Sequence, residues 1–144
     1  MIAKMDATPP RAATKNTKDT KTEEEALAAA VVDAAVKVHR AMGPGMLESV
    51  YEQCLAFELS RRGIGVERQK SIPVIYEGLR IEAGYRVDLL VAGKIIVELK
   101  AVERLDPIHE AQLLSYLRLA NRRIGFLINF NVRLLKEGIH RRVL

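Results

Sequence analysis

No tryptophan occurs in the 144 residues, and tyrosine and phenylalanine bring aromatic content to only 5%. That argues against a surface on which successive unpaired bases stack. The single cysteine, Cys54, excludes an internal disulfide and a thiolate metal cluster, and is most simply a core residue. Three histidines, His39, His109 and His140, stand far apart without zinc-type spacing. No stretch reaches the ~18–20 uncharged apolar residues that cross a bilayer. The opening Met1-Ile2-Ala3-Lys4-Met5-Asp6 has no apolar run of the secretory kind. These absences predict a protein of the reducing cytoplasm with no membrane partner.

A net charge of +5 is present, but much of it is concentrated at the N-terminus. Up to Thr22, Lys4, Arg11, Lys15, Lys18 and Lys21 oppose only Asp6 and Asp19, which accounts for +3 and leaves +2 for the remaining residues. The global charge is therefore weak support for a nucleic-acid-binding face. Residues 1–22 have almost no large apolar side chains to offset the entropy of ordering, and read as a flexible basic leader. The predicted domain is 23–144, a length that closes one core.

Beyond Glu23-Glu24-Glu25, Leu27, Val31, Ala35, Val38 and Met42 recur at helical spacing until Gly43-Pro44-Gly45 stops the helix. His39 lies near its apolar face and reads as a hydrogen-bonded packing residue. A second helix is predicted from about Leu47 to Arg62, ending at Gly63. Val66–Gln69 and Ile72–Tyr76 read as short strands, and Tyr85–Val91 and Lys94–Val102 as the two best. Asp106-Pro107 opens a further helix to about Ala120. Arg123–Phe130 is the next strand, and the remainder predicts a helical turn and a terminal strand. The core order is α-α-β-β-β-β-α-β, a mixed α/β layer fold.

Chemistry concentrates in Ile95-Ile96-Val97-Glu98-Leu99-Lys100-Ala101-Val102. Continuous apolar character marks a strand covered on both faces, yet Glu98 and Lys100 interrupt it and share one face. Burying either charge alone costs several kcal/mol. An ion pair at a strand edge and a bound cation facing a lysine are the two readings. Asp88, again a charge in an apolar strand, favours the second. A three-residue turn at Ala92–Lys94 would pair Val91 with Ile95 and set Asp88 across from Glu98, whereas a two-residue turn would separate them unless a bulge intervened. Magnesium suits two facing carboxylates, because it prefers hard oxygens and keeps several waters. His109, Gln112 and Tyr116 form a polar stripe on the following helix, which a solvated face explains equally well.

Asp88 followed by Glu98-Leu99-Lys100 resembles the D…E-x-K core of the PD-(D/E)XK nuclease superfamily. Gly45-Met46-Leu47-Glu48-Ser49-Val50-Tyr51 matches G-x-x-E-x-x-Y, the signature of the GxxExxY protein family within it. The likeness continues through Val38-His39-Arg40, Pro107–Leu114 and Leu127–Asn131; Val87, where the superfamily's name has proline, departs from it. The resemblance implies a restriction-endonuclease-like core, a mixed sheet flanked by helices. It implies a nuclease that hydrolyses phosphodiesters with Mg2+, or alternatively Mn2+, on nucleic acid, DNA rather than RNA. Asp88 and Glu98 would bind metal, with the Leu99 carbonyl and Glu48 as further ligands. Lys100 would orient water and stabilise phosphate charge, and Gln112 would lie near the site. Tyr51, one helical turn from Glu48, is expected to face the same way, with His39, His109 and Tyr116 as supporting residues. A non-catalytic nucleic-acid-binding module and a regulatory protein with a structural charge network are the rivals, and a homodimer is left open.

Overall fold

The computed structural model describes residues 16–144. Two helices come first, α1 (Thr17–Met42) and α2 (Glu48–Arg61). They lead into β1 (Val66–Tyr76), β2 (Leu79–Val91), β3 (Ile95–Lys100), α3 (Pro107–Ala120), β4 (Ile124–Asn129) and β5 (Ile139–Val143), with a 3-10 turn at Leu135–Glu137. The strands form one sheet in the order β1-β2-β3-β4-β5. Only β3 and β4 run parallel, joined by the α3 crossover; the other neighbours are antiparallel. The result is the mixed sheet flanked by helices that the sequence predicts.

The central strands are apolar on both faces because helices cover both. Val97, Leu99, Phe126 and Ile128 pack with Val31, Ala35 and Leu55 from α1 and α2. Ile96, Leu90 and Leu127 pack on the opposite face with Leu113 and Leu117 from α3. No helix among the described residues is long and apolar enough to cross a membrane.

Three boundaries differ from the sequence reading. The Asn16 side chain accepts a hydrogen bond from Asp19 N at 2.8 Å and caps α1, so Thr17–Thr22, read as the end of the leader, are helical. Ion pairs of Glu24 with Arg123 and Glu25 with Arg141 tie the following turns to the sheet, and the helix propagates outward from that anchor. The rest of the leader reading lies outside the described residues. Val66–Gln69 and Ile72–Tyr76 belong to one strand, with a register shift around Pro73 that an edge strand tolerates. β2 begins at Leu79, six residues before the predicted start, because its outer half pairs with β1 while remaining exposed. The observed order is α-α-β-β-β-α-β-β.

One glycine is required by close approach. A Cβ on Gly138 would lie 2.1 Å from the Asn129 carbonyl oxygen, a backbone atom that cannot swing aside. The Gly138 carbonyl in turn accepts from Asn129 N at 2.9 Å. Gly138→Ala is expected to destabilise the protein by roughly 3 kcal/mol, measured as a lower urea midpoint with unchanged slope.

Candidate active site

The central hairpin sets the site. Val91 pairs with Ile95, Leu90 with Ile96 and Leu89 with Val97, so the turn is the three-residue Ala92–Lys94. Ala92 and Gly93 take left-handed φ values of 52° and 65°, and Lys94 N donates to the Val91 carbonyl at 2.9 Å. One step further in this register, Asp88 stands across from Glu98. There side chains replace the main-chain ladder. Asp88 N donates to Glu98 Oε2 at 2.8 Å, and Leu99 N donates to Asp88 Oδ2 at 2.8 Å. Each carboxylate is therefore aimed by the backbone of the opposite strand.

Alternation along β3 sends Val97 and Leu99 toward α1 and α2, and Ile96, Glu98 and Lys100 toward α3. Glu98 is only 6% exposed. Burial first, then the neighbouring Asp88 charge, push its carboxyl up to about 8, against the opposing effects of the Asp88 amide and Lys100. Tyr116 on α3 senses the same acidic pair: burial raises its hydroxyl pKa most, followed by the charges of Glu98, Tyr85 and Asp88. Lys100 is half-buried and makes no ion pair among the described residues.

Glu48 opens α2, and its carboxylate accepts from Ala101 N at 3.3 Å, just beyond Lys100. It is exposed, and among the described residues no three Asp, Glu, His or Cys side chains are already gathered as a metal site. Two acids are thus locked together across the hairpin, with Lys100 next along the same face of β3 and the third acid flanking it.

A network that sequence reasoning missed backs this pair. Glu52, one turn beyond Glu48 and 7% exposed, accepts from Arg68 Nε at 3.0 Å and Gln69 Nε2 at 2.7 Å. Gln69 Nε2 also donates to Asp88 Oδ1 at 3.2 Å, bridging the helix to the site. Gln69 does so from a left-handed φ of 51° inside a strand, a conformation costing of order 1–3 kcal/mol that the surroundings must hold. Glu52 at i+4 and Tyr51 at i+3 are both neighbours of Glu48, so spacing gave no signal that singled out Glu52.

Tyr51 does not face with Glu48. It is fully buried, stacked on Phe130 with ring centroids 4.5 Å apart. Its hydroxyl donates to the Gly43 carbonyl and accepts from Met46 N at 3.0 Å, fastening the Gly43–Met46 turn. Tyr51→Phe is expected to cost about 1–2 kcal/mol of stability, read by chemical denaturation. His39 is buried and bonds the Val132 carbonyl at 2.7 Å through Nε2. His109 Nδ1 accepts from Asp106 N and completes the capping box of α3. Gln112 lines a groove with Tyr85, Ala111 and Tyr116, and no hydrogen bond among the described residues joins it to the carboxylates.

The donor set fits a hard divalent cation. Each carboxylate has about four lone-pair sites, and the hydrogen bonds above leave several unused on Asp88 and Glu98. An electrostatic strain that pushes Glu98 toward protonation is one that a cation relieves.

Paired acids and an E-x-K lysine thus share one face of the central hairpin. The chain matches the model of the PD-(D/E)XK nuclease superfamily over residues 25–142, and it belongs to that superfamily. No curated protein and no solved structure matches it.

Proposed function

We propose that this protein hydrolyses phosphodiester bonds in nucleic acid with magnesium, manganese being the substitute, and that Gly45, Glu48 and Tyr51 mark it as a GxxExxY member of its superfamily. The observation that carries the reading is the reciprocal bonding of Asp88 and Glu98, which fixes two acids beside a lysine that forms no salt bridge among the described residues. A divalent cation held by Asp88 and Glu98, with Glu48 and the Leu99 carbonyl as further donors, would supply charge neutralisation at phosphorus and a more acidic water. Lys100 adds a fixed positive charge on the same face, where it orients the attacking water and stabilises charge developing on the phosphoryl oxygens. Gln69 and Glu52 hold Asp88 in place. Gln112 and Tyr116 approach the substrate from the α3 side.

The test is incubation of the full chain with supercoiled plasmid, linear duplex and single-stranded RNA in Mg2+, Mn2+ or EDTA. Cleavage in the metals and none in EDTA is expected. A melting temperature that ignores both metals, together with no cleavage of any substrate, would overturn the reading. A structural charge network is the second reading, favoured by the hydrogen bonds that already engage both acids. It predicts that outcome.

A further inference from the structure

Among the described residues, most arginines are consumed by carboxylates. Arg62 pairs with Asp33 and Glu58, Arg68 with Glu52, Arg123 with Glu24, Arg141 with Glu25 and Arg142 with Glu110. Arg86, Arg104, Arg118 and Arg122 have no carboxylate partner among the described residues, and three further such cations gather around one cavity. Between the C-terminal end of α1 and the loop after β4 lies a hollow of about 630 Å3, lined by Arg40, Gly43, Pro44, Arg133, Leu134 and Lys136 among others. Arg40, Arg133 and Lys136 are exposed and have no carboxylate partner among the described residues, and no Asp or Glu lines the hollow. Arg40 also borders a second cavity with Glu25 and Asp33, but those two acids are bound to Arg141 and Arg62.

Three unneutralised cations converging on one concavity repel each other, and an anion with several charges removes that cost. The wall is also firm. His39 holds the Val132 carbonyl, and buried Leu135 packs in the core, so Arg133 and Lys136 project from a loop fixed at both sides.

We propose that this cavity grips the phosphate backbone of the nucleic-acid substrate, at positions flanking the bond that is cut; the proposal rests on the nuclease reading above. Position commits it to that occupant. Lys100 pairs with Asn129 at the C-terminal ends of the parallel strands, and Phe130 N donates to the Lys100 carbonyl at 2.8 Å. Arg133 follows four residues after Asn129, so its Cα lies within about 14 Å of that strand end. Adding one strand spacing of about 4.8 Å puts it within roughly 19 Å of Lys100. Phosphates advance about 3.4 Å along each strand of a duplex. A backbone lying on Arg133 and Lys136 therefore reaches the acidic site within about six nucleotides.

The experiment measures binding of labelled duplex DNA and of single-stranded RNA in EDTA across a salt series, for the wild type, Arg133→Gln, and the triple variant Arg40→Gln/Arg133→Gln/Lys136→Gln. Each lost phosphate contact should flatten the slope of log K against log salt by roughly 0.9 on duplex or 0.7 on single strand. Arg133→Gln is expected to show one such step and the triple variant two to three, with melting temperatures unchanged. In Mg2+, the triple variant should raise KM at least tenfold while kcat at saturation changes little. A folded Arg133→Gln and a folded triple variant that both keep the wild-type slope overturn the proposal while leaving the nuclease reading intact. A wild type that neither cleaves nor binds with any salt dependence overturns both.

Discussion

Lys100→Met is expected to lower kcat by about 10³-fold with little change in KM and an unaltered fold. The side chain is half-buried and forms no salt bridge among the described residues, so its removal breaks no close ion pair that the fold depends on. What it contributes is a positive charge on the face of β3 that carries Glu98. Fixed donors aimed at developing oxyanion charge in a water-poor site account for about 10²–10³ in rate when one is removed, and a role in water activation adds to that. Since such an effect belongs to the transition state, it falls on kcat. Lys100→Arg restores charge but not the compact ammonium, and only partial recovery is expected. A readout independent of turnover accompanies it: Lys100 opposes the upward shift of the Glu98 carboxyl, so Lys100→Met should move that titration higher, followed by carboxyl-resolved NMR. A Lys100→Met enzyme with near wild-type kcat would remove the lysine from the chemistry.

The second large effect needs no substrate. In the metal-free protein the Glu98 carboxyl titrates at about 8, against an ordinary 4.5, so the folded state holds a proton that the unfolded chain releases. The resulting stabilisation is full below about pH 4.5 and is lost as pH rises through 8, so stability should fall across that window. The size is on the order of a few kcal/mol, which corresponds to a fall in Tm of roughly 10 °C between pH 5 and 8.5. Glu25, Glu58 and Glu110 shift in the opposite direction, chiefly through hydrogen bonds from Arg141, Arg62 and Arg142, and act at lower pH outside this window. Glu98→Gln should flatten the profile. Magnesium should reverse the alkaline loss in the wild type, since a ligand at about 100 times its Kd adds about 2.7 kcal/mol. It should leave Asp88→Ala where it was. Differential scanning calorimetry over pH and Mg2+ decides this, and a flat wild-type profile would mean that Glu98 is charged in the fold.

Much of this site is legible in the chain because burial makes charge conspicuous. Glu98 and Lys100 stand out because a strand covered on both faces rarely admits either, and the two-residue period fixes them to one side. The hairpin register turned on the length of a single turn, and the observed Ala92–Lys94 turn is the one that brings Asp88 to Glu98. Helix α2 was harder. Tyr51 and Glu52 are both one turn from Glu48, and spacing alone does not say which turns inward to the core and which toward the site; the stacking of Tyr51 on Phe130 decides it. Gln69 was invisible for a different reason. Its role depends on a left-handed backbone that no propensity favours, imposed by partners on α2 and β2. Residues Leu79–Gly84 were missed as strand because they contribute nothing to a core and are held by pairing with β1.

The exchange of main-chain ladder bonds for carboxylate bonds between β2 and β3 has a thermodynamic corollary. The amide hydrogens of Asp88 and Leu99 are sheltered by the same two side chains that would have to reorient around an ion. Repositioning those acids during a reaction cycle thus means loosening the seam at the middle of the sheet. Deuterium uptake at these two amides would report on both at once.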